Sequence, residues 1–107
     1  MKNPMGNMGN LLKQAQAMQA QMAKVQEETS SKTVTGTAGG GSVTVTATGA
    51  MELVGIAIDP EVVKSGDVEM VQDLVLAASN DALKKAREMM AGAMKSVTGG
   101  MNVPGMF

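Results

Sequence analysis

The segment TVTGTAGGGSVTVTAT, residues 33–48, sets the topology of this 107-residue chain, because Thr and Val alternate on both sides of three consecutive glycines. Alternating β-branched residues favour strands with one buried face, and a glycine run permits a tight reversal. We therefore predict strands at residues 33–38 and 42–48. A second reversal at Gly49 and Ala50 leads into another apolar run, residues 51–58. The centre of the chain is thus expected to be a three-stranded antiparallel meander.

Helical periodicity flanks this predicted sheet. Before it, with Asn10 as the expected N-cap, apolar or small residues recur at alternating steps of four and three: Leu11, Ala15, Met18, Met22, Val25 and Thr29. After it, Asp59 and Pro60 predict the start of a short helix over residues 61–64. A long helix is predicted over residues 68–97, with an apolar stripe at Val71, Leu74, Val75, Ala78, Ala82, Ala86, Met89 and Ala93.

The fold class predicted from this order is α+β, with helices on one side of the meander. We expect one domain over residues 10–98, a flexible tail at 1–9 and an irregular tail at 99–107. A domain of this size buries a modest share of its surface, and the chain's one aromatic residue is Phe107. Self-association would therefore help to complete the core.

The composition argues against catalysis and against metal binding. The chain contains neither Cys nor His, which removes disulfides, the commonest general base and the main zinc ligands. We expect no enzyme activity, no cofactor, no metal and no small-molecule substrate. Residues 1–9 lack the apolar stretch of a secretory signal, and no apolar run approaches about 18 residues. The expected location is therefore cytoplasmic, without membrane contact.

Two local patterns resemble functional motifs but have simpler explanations. GTAGGGS, residues 36–42, has the glycine spacing of a phosphate-binding loop, yet it lacks the lysine and joins two strands. A glycine hairpin explains it better. Asp59 and Glu61 are neighbouring carboxylates at a strand end, and both suit the start of a helix. We assign neither motif a catalytic role.

Charge is unevenly distributed along the chain. Residues 1–26 carry a net charge of +3, residues 27–81 carry −7, and residues 82–107 carry +3. Chance could produce this pattern among so few charges, and cations near a helix C-terminus also stabilise the helix. Alternatively, the basic ends attract a polyanion although the whole chain is slightly acidic.

The candidate phosphate-binding residues lie on the two long helices. A helix of about 30 residues is roughly 45 Å long, more than three strands can cover, so its far half must project or pair with another chain. The sparse charge suits backbone contacts to a duplex, and aromatic residues for stacking on single strands are lacking. The candidates are Lys13 and Lys24 on the first helix and Lys84, Lys85, Arg87 and Lys95 on the second.

An alternative function uses methionine instead of lysine. An adaptable apolar surface joining the two long helices could be formed by methionines near the two ends of the chain: Met5, Met8, Met18 and Met22, with Met89, Met90, Met94, Met101 and Met106. Such a surface would suit dimer packing, a protein-interaction module that grips a partner polypeptide, or an interfacial membrane helix. The membrane helix fits least, because aromatic anchors and a larger basic face are lacking. The lysines would then only add solubility.

Several segments, in this order, resemble the YbaB/EbfC family of nucleoid-associated proteins. They are GNLLKQAQAMQAQMAKVQEE (9–28), GGGSVTV (39–45), IDPEVV (58–63), DLVLAASNDALKKA (73–86) and TGGMNVPGMF (98–107). The resemblance implies an intertwined homodimer whose first and last helices project as paired arms around duplex DNA. It further implies limited sequence preference, a location in the cytoplasmic nucleoid, and roles in nucleoid organisation and gene regulation.

Overall fold

The computed structural model describes residues 4–99, and their side chains from residue 8 onward. The elements are α1 (Pro4–Ser30), β1 (Thr33–Ala38), a single 3-10 turn (Gly39–Gly41), β2 (Val43–Thr48), β3 (Leu53–Ile58), α2 (Pro60–Lys64) and α3 (Val68–Gly99). The predicted α+β class and the predicted order of elements are both confirmed.

The three strands form an antiparallel sheet in the order β1-β2-β3. Gly40, in the turn between β1 and β2, has a φ of 67°, a left-handed conformation that glycine adopts without steric cost. The register between β2 and β3 shifts at Thr46 and Ala47, which marks an irregularity in the ladder. Both reversals lie where the glycine pattern predicted them.

The core lies between the sheet and α3, which packs across β1 and β2. Its fully buried apolar residues are three from β2 and three from α3: Val43, Val45, Ala47, Ala78, Ala82 and Ala86. Four-residue spacing places the three alanines on one helix face, and alternation places the β2 residues on one sheet face. The core is thus small and built from short side chains.

Gly36 in β1 explains why this face of α3 is lined with alanine. A Cβ atom placed on Gly36 would overlap the backbone nitrogen of Ala82 and would lie 2.5 Å from the carbonyl oxygen of Ala78. These distances are far inside van der Waals contact, so helix and strand backbones touch directly at this point. Larger residues on either side would force the two elements apart.

The first helix is longer than its pattern predicted. It begins at Pro4 and not after Asn10, so the described part of the expected flexible tail is helical. Proline is favourable in the first turn of a helix, and the glycines at 6 and 9 each weaken a helix by only about 1 kcal/mol. Residues 1–3 and 100–107, which complete the two predicted tails, lie outside the described residues.

The short helix α2 begins as the sequence predicted. The carboxylate Oδ1 of Asp59 accepts a hydrogen bond from the backbone N–H of Glu61 at 3.0 Å, and Pro60 occupies the first turn. Both carboxylates are therefore explained by helix capping and by the helix dipole. This turn directs the chain into α3.

Candidate nucleic-acid interface

Two antiparallel helices extend from the sheet as an arm. α1 leads into β1, and after β3 and α2 the chain returns as α3, which crosses the sheet and continues along α1. α1 packs mainly against α3. Gln21 and Val25 of α1 line one crevice with Ala93 and Val97 of α3. The radius of gyration is 21.4 Å, whereas a compact chain of this length has about 13 Å. The molecule is thus strongly elongated.

The basic residues of α3 lie on its solvent side. Lys84 and Lys95 are eleven residues apart, about 20° around the helix, and the buried stripe through Ala82 and Ala86 lies roughly opposite them. Arg87 lies about 60° from Lys84 on the same exposed side. All three residues are exposed. Their positive charges therefore point away from the core.

The basic residues of α1 are placed in the same way. Lys13 and Lys24 are exposed, and their eleven-residue separation puts them on one face. The opposite face carries Met18 and Met22, which are half-buried, and Thr29, which is buried. The residues of the apolar seam from Met18 onward are thus the ones that α1 buries, whereas Leu11 and Ala15 are exposed.

Lys85 differs from the other candidate phosphate-binding residues because it forms an ion pair with Asp81. Its ammonium lies 3.3 Å from the Oδ2 atom of Asp81, which also accepts a hydrogen bond from the backbone N–H of Thr37 at 3.0 Å. Asp81 thereby satisfies an outward N–H of the edge strand β1. The Thr37 hydrogen bond, followed by Lys85, lowers the pKa of Asp81 below its ordinary value. This stabilisation is present above the ordinary pKa of aspartate and is lost as the pH falls through the lowered value.

Acidic residues are concentrated at the N-terminal end of α3, away from Lys95 near its C-terminal end. Asp67, Glu69 and Asp73 are exposed around one shallow depression where α3 begins, and Glu61 lies on the adjacent helix α2. These acidic residues at the start of α3 lie far along the helix from Lys95, which is close to its end. A polyanion would be repelled from the α2–α3 turn and attracted to the arm.

Asp81 is the site residue that sequence reasoning missed. Its partner Thr37 is 44 positions away, and only the packing of α3 on β1 brings the two together. The four-residue spacing of Asp81 and Lys85 was a visible signal for the ion pair.

The described residues contain no helix that is long and apolar enough to cross a membrane. Within the same part of the chain, no group of three or more acidic side chains is arranged to hold a metal ion. The described part of the chain offers exposed lysine and arginine side chains along two long helices, an arrangement that attracts polyanions.

Comparison with known proteins gives a more specific assignment. A sequence profile of the YbaB/EbfC DNA-binding family matches residues 5–101. A nucleoid-associated protein of Caldanaerobacter subterraneus subsp. tengcongensis is 55% identical over 94% of this chain and 91% of its own. Another, from Clostridium novyi, is 57% identical over 94% of this chain and 89% of its own. The crystal structure of an uncharacterized Helicobacter pylori protein matches with a TM-score of 0.60 at 28% identity, covering 81% of this chain and 96% of that one.

The chain belongs to the YbaB/EbfC DNA-binding family. The family suggested by the sequence segments is thereby confirmed. It is a family of DNA-binding proteins and not an enzyme family.

Proposed function

We propose that this protein is a nucleoid-associated protein that binds duplex DNA as a homodimer, in the cytoplasmic nucleoid, with limited sequence preference. In this role it contributes to nucleoid organisation and gene regulation. The observation that carries the proposal is the placement of Lys13, Lys24, Lys84, Arg87 and Lys95 on the solvent sides of the two long helices, α1 and α3. Its similarity to proteins named as nucleoid-associated supports the same conclusion.

The chemistry of the arm suits contacts to the phosphate backbone. Lysine and arginine neutralise phosphates and release counterions, a sequence-independent source of affinity. Base readout needs several side chains that converge on base edges, and the arm instead presents widely spaced point charges. Lys85 adds a weaker contact, because its ammonium is shared with Asp81. Limited sequence preference follows from this contact set.

The homodimer is supported by an apolar surface that one protomer leaves open. Ile56 pairs with Val45 and lies on the same face of the sheet, yet Val45 is fully buried under α3 whereas Ile56 is 53% exposed. Leu53, opposite Ala47, is 42% exposed. α3 therefore covers β1 and β2 and stops short of β3.

The flank of α3 nearest β3 is also apolar. Leu76 and Leu83 lie about 20° apart around the helix, and each is at least 140° from Asp81, which faces the outer edge of β1. Leu76 is exposed and Leu83 is half-buried. We call the surface formed by Leu53, Ile56, Leu76 and Leu83 the apolar ledge. A second copy packed on it would complete the small core and place a second arm on the same DNA.

Replacing Ile56 with glutamate is expected to convert the homodimer into monomers, because a carboxylate on the apolar ledge would be buried without a partner. Sedimentation equilibrium measures the change in mass. Ala57→Glu is the matched control, since it adds the same charge on the next residue of β3, on the opposite sheet face. A dimer that persists in Ile56→Glu, or is lost equally in both variants, contradicts this interface.

The DNA-binding proposal is tested by titrating the protein into a fluorescent duplex and following polarisation. We expect binding at low salt, similar affinity for duplexes of unrelated sequence, and weaker binding to a single strand of equal length. Affinity should fall by orders of magnitude between about 50 and 200 mM salt. Absence of duplex binding at low salt would overturn the proposed function.

A further inference from the structure

The outer part of α1 carries an apolar surface that nothing in the described part of the chain covers. Met8, Leu11 and Leu12 are each more than half exposed, and helical geometry places them within about 100° of one another around the helix. Lys13 follows directly and is also exposed. We call these four residues the α1 tip. Because α1 has no acidic residue before Glu27, the tip is both apolar and positively charged.

An apolar pocket lies where α2 turns into α3. It is lined by Val63, Val68 and Val71, with Gly66 and Asp67 at the turn, and has a volume of about 170 Å³. We call it the valine pocket. An apolar cavity of about 150 Å³ can hold a benzene ring, whereas small-molecule sites usually measure about 300–1,000 Å³. The size of the valine pocket therefore suits an aliphatic side chain of another protein.

The surroundings of the valine pocket are acidic. Residues 59–73 contain five acidic side chains and one lysine, a net charge of −4. The lysine, Lys64, pairs with Glu61 at 3.6 Å. Asp67 lines the pocket, and Glu69 and Asp73 are exposed around the adjoining depression, which Asp67 also lines. The pocket thus favours an apolar group that arrives with positive charge.

One chain cannot bring the α1 tip and the valine pocket together. Val68 and Val97 are about 44 Å apart along α3. Gln21 lies at the level of Val97, because both line one crevice. From Gln21, α1 continues in the same direction for about 20 Å to Met8. The two surfaces are therefore about 60 Å apart in one chain, and a contact between them joins two chains.

We propose that the α1 tip of one copy docks in the valine pocket of a second copy. A leucine of the tip fills the pocket, and Lys13 faces the acidic side chains around it. Pairing of two tips is less favourable, because both carry positive charge. The contact joins different surfaces of the two copies, a head-to-tail arrangement that can repeat. It goes beyond the proposed function, since it depends neither on DNA nor on the apolar ledge, and it links homodimers into larger assemblies.

Sedimentation equilibrium of the protein without DNA, at chain concentrations of about 0.1–1 mM, tests this contact, because so small an interface is weak. For the natural sequence we expect the mean mass to rise with concentration beyond that of a dimer, and to rise less at high salt. Val68→Lys places a positive charge in the pocket and should weaken this association at least roughly tenfold.

Ala57→Lys is the matched control, since it adds the same charge to an exposed residue of β3, away from the valine pocket. We expect this variant to associate as the natural sequence does. A natural protein whose mass does not exceed that of a dimer, or equal association by the two lysine variants, would overturn the proposal.

Mixing two variants tests whether these two surfaces pair with each other. Leu11→Ser with Leu12→Ser removes the apolar tip and retains the pocket, whereas Val68→Lys retains the tip. Neither variant alone should associate beyond the dimer, but an equimolar mixture should regain association in part, because each supplies the surface that the other lacks. A mixture that associates no more than its components contradicts the head-to-tail contact.

Loss of association in the tip variant alone would instead indicate pairing between two tips, and would also overturn the proposal. Both variants should still form dimers and bind duplex DNA. Failure of this inference is therefore distinguishable from failure of the proposed function.

Discussion

Gly36→Ala is expected to lower the free energy of unfolding by about 1–3 kcal/mol, although it adds a single methyl group. The added Cβ would overlap backbone atoms of Ala78 and Ala82, and backbone atoms in the middle of a helix cannot rotate away. The helix must then move off the sheet and open the contact around Val45. A domain with a total stability of about 5–15 kcal/mol would lose a substantial part of it.

Gly92→Ala is the matched control and is expected to have the opposite sign. Gly92 lies within α3, where a Cβ would meet nothing within 4 Å. Alanine there should stabilise the helix by about 0.5–1 kcal/mol through its lower conformational entropy in the unfolded state. Urea unfolding of both variants at one chain concentration measures the difference. If Gly36→Ala leaves the urea midpoint unchanged or raises it, as Gly92→Ala is expected to do, the close contact at Gly36 is wrong.

The combined change Lys84→Glu and Lys95→Glu is expected to weaken duplex binding by roughly 100-fold or more at low salt. The two residues share the solvent side of α3. In a dimer the variant replaces four attractive contacts with four repulsive ones. Fluorescence polarisation with a labelled duplex measures the loss.

A control with the same change in net charge separates local contacts from the overall field. Lys32→Glu with Lys64→Glu alters two lysines, one at the base of the arm and one in the acidic region, where Lys64 pairs with Glu61 at 3.6 Å. We expect this control to bind DNA much more tightly than the variant with Lys84→Glu and Lys95→Glu. Equal losses would show that net charge governs binding. If the variant with Lys84→Glu and Lys95→Glu binds DNA as tightly as the natural sequence, the alternative function is favoured, in which a methionine-rich surface binds a partner polypeptide.

The sheet could be predicted from sequence because its signals are local. The alternation of Val and Thr and the glycine run at Gly39–Gly41 determine both the strands and the turn between them. The predicted start of α1, after Asn10, was wrong. Glycine and asparagine are frequent before Leu11 and suggested an irregular tail, but the helix continues through them from Pro4. Local propensity is a weak guide where the helical pattern extends across such residues.

The candidate site was predictable only in part for a related reason. The helical period alone places Lys84 and Lys95 on one face. The link between Asp81 and Thr37 depends on how α3 crosses the sheet, which no local pattern specifies. The exposure of Ile56 depends on how far α3 reaches across the sheet, which the apolar pattern of the strand does not specify.

The central claim is that the arm binds DNA through phosphate contacts, and the salt dependence of duplex binding with Lys95→Gln tests it most directly. The slope of log Kobs against log salt changes by about 0.9 for each phosphate contact. Loss of one contact per protomer should therefore make the slope shallower by about 2 in a homodimer. The same slope in Lys95→Gln and in the natural sequence would contradict the account.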